Sequence, residues 1–472
     1  MTGRQRVVVV GGGVSGLAAA WELTGGHDGP SAAGPDVMVV EATDRLGGAL
    51  RTEVFGGRPV DVGPDGFLGR RPEALDLCRE VGLADSLVPV GGRGAGLWSR
   101  GRIRRLPEGL ALGIPTRWWP TARSGILDGR GQLGLLRDAV LPRPDLRGPI
   151  GDRSIGPLVA RKLGSGVVNL LVDPLIGGIH AGSVDDMSAA ATFPPLLAAA
   201  QRRGSLMRAL RAEVPAPAAE ASPLFWALDG GMESLIHRLA ERLTDRGVTI
   251  RTGTPADRLD RVAHRWVVVS GDRTEEADSV ILALPARGAG PLVSPHDHEL
   301  AGLLGGIDYA SVALVTFSVP TEQVTAPLYG TGFLVPRRST KPGSSAAWAV
   351  TACTYLSIKW PTVAREGELL LRASLGRFGD DRADDWNDAE VTERVWDELG
   401  LLMGLSGQPT ESMVNRFPHA FPQYHVHHLM RTAGIESSVD RLGGLAVAGA
   451  ALRGVGIPAC IASGRAAAHA VL

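Results

Sequence analysis

The apolar positions near the start of the chain fall into runs of two kinds. Arg6 to Val10 is a short β-branched run, which predicts a buried parallel strand. The alanine-rich stretch Leu17 to Leu23 predicts a helix, and Val37 to Glu41 predicts a second strand of the first kind. Together these elements predict one βαβ unit. Its connection, Gly25 to Asp36, is longer than the usual two to six or so residues, so we expect a surface insertion there.

The middle of the chain has a different pattern. From Ala84 to about Pro223, glycine, proline and arginine interrupt short apolar stretches, and no second βαβ pattern occurs. We predict helices over Val159 to Leu171 and over Leu196 to Leu210. The stretch Pro215 to Pro223 is predicted to be a linker or a surface loop.

After this region the chain returns to strands and amphipathic helices. A helix is predicted over Glu233 to Leu243, and alternation predicts antiparallel strands over Tyr309 to Val319 and Leu369 to Leu375. The other predicted elements are strands at 248–251, 266–270, 279–284 and 445–448 and a helix at 461–472. The final strand again enters a glycine-rich turn. The chain therefore leaves the first fold and returns to it twice, which predicts discontinuous domains.

Composition narrows the class of protein. The 472 residues suggest two or three domains at about 150 residues each. A net charge of -1 gives no general attraction to nucleic acid or anionic lipid. The three cysteines, Cys78, Cys353 and Cys460, are scattered and have no metal-ligand spacing, which favours a reducing compartment. We find no targeting peptide and no run of 18 uncharged apolar residues, so we expect a cytoplasmic protein.

The first turn carries a Gly-x-Gly-x-x-Gly motif over Gly11 to Gly16. Its glycines suit a tight turn, backbone approach to a pyrophosphate and close packing of the helix, whose N-terminus faces the phosphates. Glu41 ends the second strand and could accept hydrogen bonds from a ribose. It stands 25 residues after Gly16, slightly beyond the usual spacing of about 20, and the insertion accounts for the excess. The motif predicts a dinucleotide, either FAD or NAD.

The segment Asp44 to Thr52 favours FAD. It resembles the Arg-x-Gly-Gly-x-x-x-Thr segment of FAD-dependent oxidases of the amine oxidase superfamily. Two consecutive glycines allow the backbone to pass close to an extended cofactor, and Arg45 supplies charge for a diphosphate. The resemblance also implies that Val248 lies against the adenine end and that Gly449-Ala450 brings a helix N-terminus to the flavin. Val248 could equally be a simple core residue.

Six further segments, in order along almost the whole chain, resemble the bacterial oxygen-dependent porphyrinogen oxidases, which comprise protoporphyrinogen oxidases and coproporphyrinogen III oxidases. The segments are Asp61 to Leu68, Asp173 to Gly182, Ala191 to Pro194, Thr354 to Pro361, Phe417 to Tyr424 and Gly454 to Pro458. The Gly-Pro-Asp and Gly-Val-Gly-Ile-Pro versions look most like the coproporphyrinogen III oxidases. The resemblance implies non-covalent FAD, O₂ and a porphyrinogen as partners, a six-electron oxidation in three hydride transfers, H₂O₂ as a product and no catalytic group beyond the flavin.

The candidate cofactor contacts combine the two glycine motifs with the positions that the resemblance implies. They are Gly11, Gly12, Gly13, Val14, Ser15, Gly16, Glu41, Ala42, Arg45, Gly47, Gly48, Gly63, Pro64, Asp65, Gly66, Val248, Phe417, Gly449, Ala450, Val455, Gly456 and Ile457.

A porphyrinogen needs cations for its propionates and an apolar slot for its ring. The candidate cations are Arg70, Arg71 and Arg93, each of which could also be a solvated surface arginine. The candidate slot residues, by resemblance, are Gly177, Gly178, Ile179, Gly332 and Leu334, for which ordinary core and turn packing is the alternative. We predict no metal site, because His425, His427 and His428 lack carboxylate or cysteine partners, and we expect a loop with surface histidines.

The resemblance implies an α/β fold, of the α+β multidomain kind, with a Rossmann-like FAD domain, a substrate domain containing a mainly antiparallel sheet, and a helical, membrane-leaning subdomain. We assign residues 1–60, 224–290 and 425–472 to the first, residues 61–95, 190–223 and 291–424 to the second, and residues 96–189 to the third. Trp118-Trp119, with Arg117 and Arg123, favours a protein that is soluble or loosely peripheral to the membrane. The resemblance also implies hand-over of product to a ferrochelatase, and the oligomeric state stays open.

The sequence departs from the family pattern at three places. The family often has tryptophan at Phe417, Gly-His at His427-His428, and Ser-Tyr at Ala451-Leu452. The alternatives are therefore a protoporphyrinogen IX oxidase, another FAD enzyme resembling the amine oxidases, and an inactive homologue that binds flavin or porphyrin.

Overall fold

The computed structural model describes residues 4–29, 34–140, 151–202, 204–214 and 223–472. Most of the predicted linker, residues 215–222, and part of the predicted insertion, residues 30–33, lie outside these ranges. The chain divides into two compact units built from interleaved segments. The first unit comprises Met1–Pro89, Ser222–Asp308 and Leu429–Leu472, and the second comprises Val90–Ala221 and Tyr309–His428.

The strands, in chain order, are β1 (Arg6–Val10), β2 (Asp36–Val40), β3 (Thr52–Phe55), β4 (Arg58–Asp61), β5 (Phe67–Leu68), β6 (Leu87–Pro89), β7 (Gly96–Ser99), β8 (Arg102–Arg105), β9 (Leu110–Ala111), β10 (Ile114–Pro115), β11 (Phe225–Leu228), β12 (Thr249–Arg251), β13 (Arg258–Val262), β14 (Arg265–Ser270), β15 (Arg273–Ala277), β16 (Ser279–Leu282), β17 (Tyr309–Pro320), β18 (Gly332–Leu334), β19 (Val350–Tyr355), β20 (Glu368–Leu375), β21 (Glu411–Pro422) and β22 (Leu445–Val447).

The α-helices are α1 (Val14–Leu23), α2 (Pro72–Glu80), α3 (Trp118–Arg123), α4 (Gly129–Val140), α5 (Ile155–Leu163), α6 (Ser165–Val167), α7 (Gly178–His180), α8 (Ala189–Thr192), α9 (Pro194–Gln201), α10 (Leu206–Glu213), α11 (Glu233–Asp245), α12 (Ala286–Val293), α13 (His298–Gly305), α14 (Leu356–Lys359), α15 (Asp388–Met403), α16 (His428–Leu442) and α17 (Ile457–Val471). A π-helix, Val168–Gly177, joins α6 to α7.

A five-stranded parallel sheet forms the centre of the first unit. Its strand order is β12-β2-β1-β16-β22, and every pairing is parallel. The valines of β1 are at most 3% exposed, as expected for a strand that is covered on both faces. The predicted βαβ unit and the α/β fold are thus confirmed. Helices α1 and α17 follow parallel strands and pack side by side, so both begin at the carboxyl edge of the sheet.

A seven-stranded sheet forms part of the second unit, in the order β21-β17-β20-β19-β18-β7-β8. It is antiparallel except for the pair β18 and β7. One face carries buried apolar residues such as Phe317 and Leu371, which form a core with α15. On the opposite face, strand pairing aligns Leu334, Ala352, Ser374, Leu314 and Asn415 in one row across five strands, and we call this the slot face.

Two predicted helices are broken. The segment predicted as one helix over 159–171 divides at Gly164, which has a φ of +89°, a conformation that favours glycine and ends α5. The segment predicted over 196–210 divides into α9 and α10. Ser205 caps α10, and the buried Asp138 carboxylate accepts hydrogen bonds from the Leu206 and Met207 N–H groups.

The units differ from the three predicted domains. Residues 61–89 lie in the first unit because β5 and β6 pair with β11 and because α2 packs against α17. Residues 291–308 also lie there, since α13 packs against α12. Residues 96–115, predicted to be helical, contain β7 to β10, and the first two of these strands belong to the seven-stranded sheet. No helix within the described ranges is long and apolar enough to cross a membrane.

Candidate functional site

The first glycine turn joins β1 to α1. A Cβ atom on Gly11 would lie 2.4 Å from the Ala283 carbonyl oxygen, and one on Gly16 would lie 1.9 Å from the Gly11 carbonyl oxygen. Packing within the unit therefore requires glycine at both positions. Gly13 precedes the first residue of α1, and a Cβ there would meet no atom within 4 Å. The backbone at Gly13 is thus open to a ligand at the helix N-terminus.

A second glycine turn, Gly47-Gly48, adjoins the first. The Gly47 N–H donates to the Gly12 carbonyl oxygen over 2.8 Å, and both glycines of the second turn have positive φ. A Cβ on Gly48 would lie 3.7 Å from the Cα atom of Gly13. The two turns consequently form one continuous glycine surface, which we call the double-glycine surface.

Glu41 follows β2 at the same edge of the sheet. One carboxylate oxygen accepts a hydrogen bond from the Gly12 N–H over 2.8 Å. The other accepts from the Thr43 N–H and hydroxyl, over 2.9 and 2.8 Å. The carboxylate is therefore held beside the first glycine turn, where the sequence places it.

The structure does not bring Val248 to this edge. The Glu41 N–H donates to the Arg251 carbonyl oxygen, and the Thr254 N–H donates to the Glu41 carbonyl oxygen, each over 2.8 Å. Val248 is 5% exposed and precedes β12, at the end of that strand away from Glu41. The alternative role of a core residue describes Val248, and the segment Arg251 to Thr254 takes the position beside Glu41.

Arg45 is engaged within the first unit. Its guanidinium donates to the carbonyl oxygens of Gly48 and Leu50, over 2.8 and 2.6 Å, and pairs with Glu233 over 3.0 Å. Arg45 therefore shapes the second glycine turn, which corrects the prediction that it supplies charge to a diphosphate.

Glu233 is a positioning residue that the sequence did not reveal. Its second carboxylate oxygen accepts from the Thr52 N–H over 2.9 Å. Burial acts to raise the pKa of Glu233, but the bonds from Thr52 and Arg45 outweigh it and lower that pKa. Its only signal in the sequence is its place at the start of the amphipathic helix after Gly230-Gly231.

The C-terminal turn lies between β22 and α17. Gly449 and Gly454 have φ values of +129° and +153°, and Gly456 is the N-cap of α17. A Cβ on Gly464, in α17, would lie 2.1 Å from the Ser15 carbonyl oxygen in α1. The starts of the two helices therefore approach each other at one edge of the sheet.

The departures Ala451 and Leu452 lie in this turn and are buried, at 4% and 7% exposed. The Thr432 hydroxyl donates to the Leu452 carbonyl oxygen over 3.3 Å. Both side chains thus contribute to the packing of the first unit.

The remaining candidates of the first unit separate into buried and exposed groups. In the segment Gly63 to Gly66, Gly63 and Asp65 are buried, whereas Pro64 is exposed. Arg71 lies beside the C-terminal turn, since its Nη1 atom is 3.7 Å from the position of a Cβ on Gly454, and it pairs with Glu73 over 2.7 Å. Arg70 is exposed and makes no such approach.

The predicted slot residues converge within the second unit. A Cβ on Gly178 would lie 3.7 Å from the Leu334 Cδ2 atom, which places the Gly177 to Ile179 segment against the slot face. Ile179 is 51% exposed, an unusual exposure for a large apolar side chain. Gly332 needs its glycine, because a Cβ there would lie 2.3 Å from the Cys353 carbonyl oxygen.

Two further candidates also belong to this unit. Phe417 pairs with Val312, two residues before Leu314, so Phe417 and Leu334 project from the same face of the sheet. Arg93 is exposed, and its carbonyl oxygen is 2.8 Å from the position of a Cβ on Gly330, two residues before β18. Arg93 therefore stands at the start of β18.

The π-helix leading to Gly178 contains Asp173, which was in a recognised segment but had no assigned role. The carboxylate is 8% exposed and accepts from the Val184 N–H over 3.3 Å. Burial raises the pKa of Asp173, opposed by that hydrogen bond and by Arg377 and Arg337. Burial also lowers the pKa of the neighbouring His180 to about 4, which keeps its imidazole neutral at pH 7.

The histidine cluster does not form the expected surface loop as a whole. His427 is exposed, but His428 is 3% exposed because its ring stacks on Tyr424 with 4.0 Å between the ring centres. His427 has a φ of +74°, and its N–H donates to Asp152 over 2.7 Å. The described ranges contain no group of three or more His, Cys, Asp or Glu residues that could hold a metal.

Comparison with known proteins supplies a family for this arrangement. The pattern of the "Flavin containing amine oxidoreductase" family matches residues 14–472. A coproporphyrinogen III oxidase of Bacillus subtilis is 32% identical, with 98% of this chain and 97% of that protein covered. A second, from Propionibacterium freudenreichii, is 33% identical, with 99% and 90% covered.

A solved Exiguobacterium structure, provisionally described as a protoporphyrinogen oxidase, is 31% identical with a TM-score of 0.88 and covers 99% of each chain. The chain is an oxidoreductase that belongs to the family of flavin containing amine oxidoreductases, and within it to the porphyrinogen oxidases that these relatives represent.

Proposed function

We propose that this protein is an FAD-dependent, oxygen-using oxidase that converts coproporphyrinogen III to coproporphyrin III. The observation that carries the proposal is similarity along the whole chain to coproporphyrinogen III oxidases, joined to a slot in the second unit that those segments line. Coproporphyrinogen III loses six electrons and six hydrogens in this reaction, as three hydrides and three protons. Three O₂ molecules are then reduced to H₂O₂.

The residues of the first unit fit FAD. The double-glycine surface is open at Gly13, Glu41 stands beside it, and α1 and α17 both begin at this edge. Two helix N-termini favour an anionic diphosphate, and a carboxylate favours a ribose. When bound, the flavin accepts hydride from the substrate and passes electrons to O₂. Gly11 to Gly16, Glu41, Gly47-Gly48 and Gly449 to Ile457 are the segments that would hold it.

Non-covalent binding is supported by the state of the cysteines. Cys78, Cys353 and Cys460 are all buried. Burial raises the pKa of Cys78 to about 12 and that of Cys460 to about 11, so their thiols stay protonated at neutral pH. Cys460 is in the first turn of α17, and its protonated thiol is a poor nucleophile for a flavin tether.

In the second unit, the chain's own task is to hold and orient the macrocycle. Ile179, Leu334 and Phe417 offer apolar surface to its pyrroles, and Arg93 can pair with a propionate at the start of β18. The reaction requires neither a nucleophile nor a metal from the protein, because hydride abstraction relies on placement of each bridging carbon.

The test is aerobic incubation of the purified protein with coproporphyrinogen III or protoporphyrinogen IX while porphyrin fluorescence, O₂ uptake and H₂O₂ are followed. We expect released FAD in the denatured protein and faster turnover of coproporphyrinogen III. Faster turnover of protoporphyrinogen IX would favour that alternative. FAD without turnover of either substrate would indicate the inactive homologue, and protein that binds no FAD would contradict the proposal.

We also propose loose peripheral contact of the second unit with an anionic membrane. Leu133, Leu136 and Val140 form an exposed stripe on α4, with Leu133 64% and Val140 65% exposed. Trp119 on α3 is 56% exposed beside Arg123. Apolar and basic side chains together suit the interface of an anionic bilayer.

Cosedimentation with vesicles containing phosphatidylglycerol should decrease on Leu133→Ser/Val140→Ser substitution, with neutral phosphatidylcholine vesicles as the control. Equal binding of the variant and the parent protein would contradict the contact. Hand-over of product to a ferrochelatase stays a prediction.

A further inference from the structure

Two arginines that have no role in the preceding description meet beside the slot. The turn after β20 is fixed to the slot segment, since the Phe378 N–H donates to the Ala181 carbonyl oxygen over 2.7 Å, and Arg377 is the preceding residue. Arg337 follows β18 by three residues, beyond Leu334, whose side chain contacts the Gly178 position. Both arginines act electrostatically on the buried Asp173, which places them near one another.

The nearest acidic side chains are committed elsewhere. Asp380, in the turn of Arg377, binds Arg382 through both oxygens, over 2.7 and 2.8 Å. Asp185 pairs with Arg338 over 3.1 Å. Among the described residues, the guanidinium groups of Arg337 and Arg377 make neither a hydrogen bond nor an ion pair within 4 Å, although both residues are only partly exposed.

Partly buried cations without a paired anion are unfavourable unless a ligand supplies the anion. Burial lowers the pKa of Arg377, and Asp173, whose own pKa is raised, compensates only partly. The adjacent surface is apolar, with Ile179 51% exposed and Leu334 partly exposed. This combination suits a carboxylate attached to an apolar ring.

We infer that Arg337 and Arg377 form a carboxylate subsite that binds a propionate of the macrocycle and selects the substrate with more propionates. This inference rests on the proposed function. Coproporphyrinogen III has propionates on all four pyrroles, whereas protoporphyrinogen IX has two propionates and carries vinyl groups on its other pyrroles. Arg93 is beside the start of β18 and Arg337 lies beyond its end, so cations flank the slot on both sides. A vinyl group facing the arginine pair would leave both cations unpaired.

The experiment uses the full-length holoenzyme and the variants Arg377→Met and Arg337→Met. The matched control is Arg338→Met, which removes a neighbouring arginine that is 63% exposed and paired with Asp185. Steady-state rates are measured with both porphyrinogens, and binding of coproporphyrin III is measured by fluorescence titration. Flavin content and unfolding temperature are recorded for every variant.

We expect each substitution in the pair to raise KM for coproporphyrinogen III and Kd for coproporphyrin III by about 10- to 100-fold, as for a charged hydrogen bond. KM for protoporphyrinogen IX should change less than threefold, and flavin content and kcat should be kept. Arg377→Lys should restore part of the affinity, because it retains the charge without the planar fork. This rescue separates binding from a folding defect.

The outcomes distinguish the subsite from the proposed function. Equal effects on both substrates, or an equal effect of Arg338→Met, would overturn the subsite while leaving the oxidase activity intact. If the parent protein oxidises neither porphyrinogen, the proposed function fails, and porphyrin binding alone then decides. Weaker coproporphyrin III binding by the pair variants would still support the subsite, and unchanged or undetectable binding would overturn it.

Discussion

The Gly12 N–H donates to the Glu41 carboxylate over 2.8 Å, so the acid that ends β2 is anchored to the first glycine turn before any ligand arrives. This contact fixes one oxygen of Glu41 and orients the side chain at the edge of the sheet. Preorganisation of this kind reduces the entropy that a ribose must lose on binding.

Replacing Glu41 should therefore weaken FAD. We expect Glu41→Ala to lose on the order of 1 to 3 kcal/mol of binding free energy, the range for a charged hydrogen bond. The measurement is flavin fluorescence during titration of the apoprotein, with the exposed Asp44→Ala as the control. Equal affinities for the two variants would remove Glu41 from its proposed role.

Gly13 and Gly16 should separate ligand binding from folding. A Cβ at position 16 would collide with the Gly11 carbonyl oxygen, whereas one at position 13 would enter open space. We expect Gly13→Ala to leave urea unfolding of the apoprotein nearly unchanged while weakening FAD at least tenfold. Gly16→Ala should lose apoprotein stability by several kcal/mol, as severe overpacking does. A stable Gly13→Ala variant with normal FAD affinity would contradict an approach of the cofactor at this residue.

Glu233 should contribute stability that depends on pH. Its pKa is lowered in the folded state, so its contribution is present above the unfolded pKa of about 4.3 and is lost as pH falls through the folded pKa. Glu233→Gln should therefore destabilise the protein at pH 6 and approach the parent protein below about pH 4. Urea unfolding of both proteins at the two pH values gives the difference. A pH-independent difference would indicate that the carboxylate charge is not responsible.

His427 occupies a left-handed conformation, with a φ of +74°, at a position where the family often has glycine. A side chain costs about 1 to 2 kcal/mol there, and glycine avoids that strain. We expect His427→Gly to raise the free energy of unfolding by about 1 kcal/mol and His427→Ala to change it little, because alanine keeps the Cβ. If alanine stabilises as much as glycine, the histidine ring rather than the backbone is the source of strain.

Local patterns predicted the elements of the first unit well, because each uses a short-range signal. The run Arg6 to Val10 gave a strand with the observed bounds, and the motif over Gly11 to Gly16 placed the turn after it. Val248 was misplaced because a pattern shows that a strand exists but not which end lies beside Glu41. Arg45 was misassigned because its partner Glu233 is distant in sequence, and no spacing rule connects them.

The same limit applies to the second unit. The segments of Gly178 and Leu334 were found by resemblance, but their contact depends on the pairing of strands far apart in the chain. Arg337 and Arg377 carried no motif, since ordinary arginines are abundant here and only packing shows which of them lack partners. The domain bounds differed for the same reason, because β5 and β6 are too short to indicate that they pair with β11.

The interleaving of the two units has a consequence for synthesis on the ribosome. The fifth strand of the parallel sheet, β22, and the helix α17 that packs on α1 are made only after the entire second unit. Because domains generally fold as they emerge, the second unit can complete its core while the first still lacks the β16 neighbour and the second helix N-terminus. A nascent chain should therefore become competent to retain its cofactor only after the last turn has been synthesised.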